Sequence, residues 1–412
     1  MVRESKEYLM EICPDVHSNS VYAGNLTKAF SELDKHHYIL VIPKSKDLKA
    51  AMDKKLLIEL NQNRMIGLFF LCRYIFSIEL LFLILKIRPR IIHFQHEYAW
   101  YHMNIGFIPL IIISKFIGIR VVVTMHSLLN KPDLRIRNKS FIDFLEMSRY
   151  KIARLYVKII NRLILSFSDI VIVHTEEMKK DLEALSHSSF NCFVVPHGAE
   201  TDCKGYNHCP LREDTGSLCI RTIGYIEPRK GQDISLLILK RLNEKGMDTH
   251  LHIEGSTSYS RGRFNEKDEF FLDLVHNSSS MTNVFLVRRY LGIDELKEKI
   301  ASSDIILLPY RDTPEKGSFQ TNASGIFSMA IACGVVTVTT DLPAFRSVLG
   351  TMSSQLTFPN GNIDRAVDIL SSFSMDRSKL KRISTDLEKI AKEKISWNHV
   401  AALHLNIFKN VL

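Results

Sequence analysis

The chain has no Cys-x-x-Cys pair, no low-complexity tract and no close internal repeat, and only two of its 412 residues are tryptophan. Each absence removes a class of protein. Seven cysteines scattered without a pairing signature, with no secretory signal at the start, read as reduced thiols in a cytoplasmic protein. Cys203, His208, Cys209 and Cys219 cluster, yet their spacing matches no common zinc motif, so no metal is expected. No aromatic-basic platform or recognised nucleic-acid motif is present, which sets nucleic acid aside as a partner. An uninterrupted apolar run of membrane-spanning length is missing too. Met65 to Leu85 comes nearest, but Arg73 and Glu79 break it, and it runs through Arg88-Pro89-Arg90 into the strand-like Ile91-Ile92-His93-Phe94. A helix buried against a sheet, or dipping partly into a membrane, is expected there rather than a span.

What the chain does contain is the composition of a folded globular protein, 46% hydrophobic and 24% charged. Its length exceeds what one core serves, so two domains of roughly 200 residues each are expected. A formal charge of +9 favours an anionic partner such as a nucleotide diphosphate or a lipid headgroup. Strand-like and helix-like runs alternate throughout, the pattern of βαβ units and parallel sheets. The first-half strands are Tyr38–Pro43, Arg90–Gln95, Arg120–Met125, Ile170–His174 and Asn191–Pro196. The second series runs Cys219–Tyr225, Thr249–Glu254, Asn283–Val287, Asp304–Pro309 and Val335–Thr340, with helical spacing at Ile234–Lys245 and Asp294–Ala301. Between them the periodicity lapses. The expected division is an N-terminal α/β domain over 1–200, a linker over 201–217, a second α/β domain over 218–394 and a terminal helical segment over 395–412.

From Ser324 to Asp341 the chain reads Ser-Gly-Ile-Phe-Ser-Met-Ala-Ile-Ala-Cys-Gly-Val-Val-Thr-Val-Thr-Thr-Asp, a polar loop, a small-residue helix, a glycine stop and a β-branched strand. Glycine at the helix start lets a ligand reach the backbone, and first-turn amides without intrahelical partners can hold a phosphate. Ahead of it lie three further landmarks. They are Gly224-Tyr225-Ile226-Glu227-Pro228-Arg229-Lys230-Gly231; Asn283-Val284-Phe285 with Arg288-Arg289-Tyr290; and Ser303-Asp304-Ile305-Ile306-Leu307-Leu308-Pro309-Tyr310. In this order they resemble the donor half of retaining GT-B glycosyltransferases of the GT4 type. The resemblance implies two Rossmann-like domains facing across a cleft, with the last helix, from about Trp397 to Leu412, crossing back to the first domain. It implies a nucleotide-diphosphate sugar as donor, transfer with retention, and neither cofactor nor metal. Arg229 and Lys230 would hold the diphosphate, and Tyr290, Pro309, Ser324, Gly325 and Ile326 would complete the donor pocket.

The first half agrees with this resemblance. Ile91-Ile92-His93-Phe94-Gln95-His96-Glu97-Tyr98 and Val121-Val122-Val123-Thr124-Met125-His126-Ser127 are similar to two strand ends of GT4 enzymes. They imply His126 as a catalytic-side group near the sugar, with His96 and Glu97 on the acceptor side. Val195-Pro196-His197-Gly198 is similar to the family's exit from the last strand of the first domain. Three features depart from the pattern: Thr321 and Met329 stand at the usual glutamate pair, Tyr225 at a usual arginine, and Pro14 to Ser20 at a usual glycine-rich loop. They keep open a non-catalytic GT-B accessory subunit, and a sugar-nucleotide epimerase of the same fold, as alternatives to a glycosyltransferase. Lys151, Arg154, Lys158 and Arg162 form a basic stripe with Ile152, Leu155, Ile159 and Leu163 nearby. That stripe fits either a solvated helix with its apolar side in the core or a helix lying on an anionic membrane. A lipid-linked or saccharide acceptor follows as the expectation, with peripheral association at the inner face of the membrane.

Overall fold

Short β-branched runs bounded by polar clusters become parallel strands in both halves of the computed structural model. It describes residues 8–13, 18–34, 37–43, 57–60, 71–97, 107–128, 155–186, 190–201, 217–256, 264–311 and 323–409. The chain divides into two units, the first built from Met1–Gly198 with the C-terminal Trp397–Leu412, the second from Ala199–Thr313 and Ser324–Ser396.

The first unit holds strands β1 (Tyr8–Ile12), β2 (His37–Pro43), β3 (Leu57–Leu60), β4 (Ile91–His96), β5 (Arg120–Met125), β6 (Ile170–Val173) and β7 (Cys192–Val194). They form one parallel sheet in the order β3-β2-β1-β4-β5-β6-β7. Its helices are α1 (Ser18–Leu33), α2 (Leu71–Ile87), α3 (Phe107–Phe116), α4 (155–167) and α5 (Glu176–Leu185). Helices α2 to α5 bury Leu80, Ile84, Phe107, Ile111, Ile164 and Leu182 in one cluster with Ile92, Phe94, Val121 and Val123 of the sheet.

In the second unit, β8 (Leu218–Ile223), β9 (Thr249–Gly255), β10 (Val284–Arg288), β11 (Ile305–Leu308), β12 (Val336–Thr340) and β13 (Thr357–Phe358) pair in the order β10-β9-β8-β11-β12-β13, again all parallel. Strands β11 and β12 are buried along their whole length, which is why they read as continuous apolar or β-branched runs. The helices are α6 (Gln232–Glu244), α7 (Phe264–Ser278), α8 (Ile293–Ala301), α9 (Gly325–Ala332), α10 (Pro343–Leu349), α11 (Ser353–Leu356), α12 (Ile363–Met375) and α13 (Arg377–Lys394).

The last helix, α14 (Trp397–Lys409), belongs to the first unit. Val400, Ala401, Ile407 and Phe408 pack with Tyr22, Leu26 and Phe30 of α1 on one sheet face, and Leu403 lies partly buried beside them. Val411 lies outside the described residues. Gly198 fits against this helix, because a Cβ there would fall 2.4 Å from the Trp397 ring.

Both sheets reverse strand order beside their first strand, between β1 and β4 and between β8 and β11. In open parallel sheets the carboxyl edge at such a point is where ligands bind. Each implied site residue of the donor and acceptor sets that is described ends a strand, follows its carboxyl end or opens α9. Strands β1, β3 and β13 are additions to the expected set. β1 carries a glutamate, Glu11, in its middle, and the other two are only four and two residues long. The Met65–Leu85 run resolves as α2 from Leu71 onward, and no helix among the described residues is long and apolar enough to cross a membrane.

Candidate functional site

At the end of β8 the chain turns through Gly224 and enters a single 3-10 turn, Pro228–Lys230, before α6. Two glycines permit this path. Gly255 ends β9 at φ +154°, and a Cβ on it would lie 1.7 Å from the Gly224 carbonyl oxygen. Gly231 opens α6 at φ +70°, and its Cβ would lie 2.0 Å from the carbonyl oxygen of Pro309. Backbone therefore packs on backbone where β8, β9 and β11 end, and no side chain has room between them. The buried Pro309 contributes by this carbonyl.

Charged side chains lock the turn. The Arg229 guanidinium donates to the buried Glu227 carboxylate at 2.6 Å, so it already carries an anionic partner. Arg311, just past β11, donates to Asp233 of α6 at 2.9 Å and to the Pro228 carbonyl, while its amide donates to the Arg229 carbonyl at 2.9 Å. Lys230 differs. Its ammonium lies 3.7 Å from the centroid of the Tyr310 ring, and no carboxylate pairs with it among the described residues. The Tyr310 hydroxyl lies 3.2 Å from the Ser324 hydroxyl, and Ser324 is the N-cap of α9. One tyrosine thus joins the lysine to a helix N-terminus. Ser324 Oγ accepts from the Phe327 amide, so the first-turn amides of Gly325 and Ile326 stay outside the helix's own bonding. Gly325 is exposed and Ile326 half-buried, and Gly224 lies beside the Ile326 side chain.

Not every implied donor residue joins this group. Tyr290 follows β10, the outer strand of the sheet two positions from β8, and is well exposed beside the Arg289–Glu295 ion pair. Met329 is partly buried against the unit's core, and Thr321 lies outside the described residues. Tyr225 is exposed, and its carbonyl accepts from Gln232.

The corresponding edge of the first unit is filled by a chain of buried polar groups. His174 Nδ1 lies 2.9 Å from the Val195 carbonyl oxygen, and His174 Nε2 lies 3.1 Å from His126 Nδ1. His126 Nε2 is 2.6 Å from the Gln95 side-chain amide, which reaches Glu11 at 2.5 Å. Glu11 meets His93 Nδ1 at 2.7 Å, and His93 Nε2 meets the Thr124 hydroxyl at 2.7 Å. Tyr22 of α1 is ringed by His126, His174, His197 and Trp397, with centroids 4.8 to 5.7 Å away.

The Val195 carbonyl can only accept, so His174 Nδ1 donates to it. With the Gln95 oxygen toward His126, three consecutive bonds need three protons, and two neutral imidazoles carry two. Burial opposes a third: it lowers His174 to about 3, and with neighbouring histidines it holds His126 well below the ordinary histidine value. Turning the Gln95 amide round removes the conflict at His126, because its NH₂ then donates to His126 Nε2. Both ring nitrogens of His126 thus face protein groups.

His96 is buried against the Phe107 ring, and its carbonyl accepts from the His126 amide at 3.0 Å. Glu97 accepts from the Ser127 hydroxyl. The basic stripe is described only at Lys158 and Arg162, and Pro14–His17, Cys203, His208 and Cys209 lie outside the described residues. Glu11, Tyr22 and His174 of this edge, and Asp233 and Arg311 of the other, had no motif to mark them, while Gln95 and Glu227 lay inside quoted motifs without a role. Their only signal was polar identity inside or just after apolar runs.

Comparison with known proteins decides what family this architecture serves. Residues 20–202 match the model of Glycosyltransferase Family 4, and residues 208–390 match that of Glycosyl transferases group 1. This chain is a GT4-like glycosyltransferase. Solved structures share its GT-B fold over nearly the whole length. Sucrose-phosphate synthase from Thermosynechococcus elongatus superposes with a TM-score of 0.72 at 14% identity, covering 98% of this chain and 99% of that one. HepE of Anabaena, in complex with UDP-glucose, gives 0.69 at 11% identity, covering 98% and 99%. The E. coli trehalose-6-phosphate structure bound with UDP-2-fluoro glucose gives 0.65 at 10% identity, covering 98% and 100%. No curated protein matches this sequence closely enough to count as a relative. The glycosyltransferase is thus related by fold to enzymes whose sequences have diverged widely.

Proposed function

We propose that this glycosyltransferase takes its sugar from a nucleotide-diphosphate donor held at the carboxyl edge of the second sheet. The observation that carries the reading is the junction of Lys230, Tyr310 and Ser324. It brings a lysine ammonium and the free amides of Gly325 and Ile326 to the same strand ends. A leaving diphosphate gathers negative charge as the glycosidic bond breaks, and a fixed cation with a helix N-terminus stabilises that charge without reorganising. Arg229, already balanced by Glu227, serves mainly to hold the turn in shape and lends the diphosphate only part of its charge. The structures of similar fold bound to UDP-glucose and UDP-2-fluoro glucose support a nucleotide-sugar as the donor class.

We extend the family's retaining, metal-independent course to this chain, with a lipid-linked or saccharide acceptor. The first unit supplies the acceptor side through the β4 and β5 ends, where His96, Glu97 and His126 lie. His126 acts there as a fixed ring whose orientation the relay sets, and it gives up the Gln95 contact to reach a sugar hydroxyl. The enzyme works on the cytoplasmic side, peripherally associated with an anionic membrane.

Turnover with a panel of UDP-, ADP- and GDP-sugars tests this. Lys230→Ala should lower the turnover rate by about 10²–10³-fold, the scale of one lost charge-stabilising group, with the melting temperature unchanged. A variant that turns over at the wild-type rate would remove Lys230 from the site.

A further inference from the structure

Helices α2, α3 and α4 lie side by side on one face of the first sheet, since their buried residues share one cluster with it. Their opposite sides carry large apolar groups. On α2, Ile78, Phe82 and Leu85 recur at helical spacing on the side away from the buried Leu80 and Ile84, and Phe82 is 68% exposed. Phe116, at the end of α3, is 81% exposed. On α4, Leu155 and Ile159 point outward with Lys158 and Arg162, and Leu155 is 59% exposed. Helix α4 buries Ile160, Ile164 and Leu165 in the core, and two further apolar residues share the outer side with the basic ones.

Cations border this surface on every helix, with Lys86 on α2, Lys115 on α3, and Lys158 and Arg162 on α4. Among the described residues the acidic groups beside it are few. Asp169 is taken up by Lys115 and Arg120, and Glu79 sits half-buried on α2. Apolar side chains within a positive border are what an interfacial helix layer presents to acyl chains and anionic headgroups. A second copy of the chain fits less well, since a symmetric pairing would set this basic border against itself.

We propose that the outer surface of α2, α3 and α4 docks on an anionic lipid bilayer. Phe82 and Phe116 enter the headgroup boundary, and Lys158 and Arg162 meet the lipid phosphates. This rests on the glycosyltransferase reading only in bringing a lipid-linked acceptor within reach; the docking itself does not need it.

The test is cosedimentation of the full chain with phosphatidylcholine vesicles containing or lacking phosphatidylglycerol. Binding should require the anionic lipid and weaken with salt. Lys158→Ala/Arg162→Ala should lose roughly fivefold for each charge removed. Phe82→Ser/Phe116→Ser should lose roughly tenfold or more. All four side chains point outward, so both variants should keep the wild-type melting temperature. Wild-type protein that stays in the supernatant, or variants that partition like it, would overturn the proposal. So would a dimer in sedimentation velocity that Phe82→Ser/Phe116→Ser abolishes, which would assign the surface to a second copy. A melting shift with nucleoside diphosphate, run alongside, separates the two readings. Its absence in the wild type would remove the donor site and leave the vesicle result standing.

Discussion

At the edge of the second sheet, main-chain groups do the assembling: Gly255 against the Gly224 carbonyl, Gly231 against the Pro309 carbonyl, and two free amides at the start of α9. At the edge of the first sheet the same kind of place is occupied by side chains, from Val195 through His174, His126, Gln95 and Glu11 to His93 and Thr124. A backbone-built site tolerates changes of side chain but not an added Cβ. A side-chain-built one should tolerate neither a lost partner nor an added proton. The contrast suits the two tasks proposed for these edges: a diphosphate is the same in every nucleotide-sugar donor, whereas acceptors differ in shape and polarity.

The largest effect should come from breaking the backbone packing. Gly255→Val places a branched side chain where a Cβ already falls 1.7 Å from a carbonyl oxygen, at φ +154°. It should destabilise the second unit by more than about 3 kcal/mol, read from urea denaturation. A fully stable variant would show that the turn relaxes freely.

Acid should separate the two units next. Burial lowers His174 and His404 to about 3 and His197 to about 4, all in the first unit, whereas His252, at about 4, is the one such histidine among the described residues of the second. Folded values below the unfolded one of about 6.5 mean that the unfolded chain binds more protons as pH falls. The stability these groups contribute is therefore complete above about 6.5 and is lost as pH drops toward about 4 for His197 and His252 and about 3 for His174 and His404, by at most about 1.4 kcal/mol per pH unit for each histidine. Both tryptophans, Trp100 and Trp397, fall in the first unit, so their emission reports on it. Emission should shift at a higher pH than the far-UV circular dichroism falls. Coincident transitions would contradict the difference between the units.

A smaller effect should follow from cutting the relay. Gln95→Leu leaves Glu11 and His126 without their shared partner and should cost about 1–3 kcal/mol in urea denaturation, with nucleoside diphosphate binding to the second unit unchanged. A neutral result would mean that the buried groups find other partners.

The same contrast explains what could be read from residues alone. The turn after β8 and the start of α9 were legible because main-chain geometry leaves local marks, a glycine where φ is positive and a serine at a helix start. The βαβ series of the second unit was legible because strands such as Ile305–Leu308 are buried on both faces. The relay was not, since Glu11, Gln95, His126 and His174 come from or follow four different strands, and Gln95 meets a partner 84 positions away. No spacing rule links them. Strand β1 was missed for the same reason: Glu11 reads as a surface residue until Gln95 and His93 are seen to bury it. The exposed apolar side of α4 was equally hidden, because helical periodicity does not say which side faces the sheet.

Thermal unfolding of the wild type and Lys230→Ala against UDP, ADP and GDP tests the donor site most directly. At one hundred times its dissociation constant a ligand stabilises the native state by about 2.7 kcal/mol, enough to raise the midpoint by several degrees. The account predicts such a rise with one nucleotide, largely lost in Lys230→Ala. An equal rise in both proteins would contradict the role given to the junction of Lys230, Tyr310 and the α9 N-terminus.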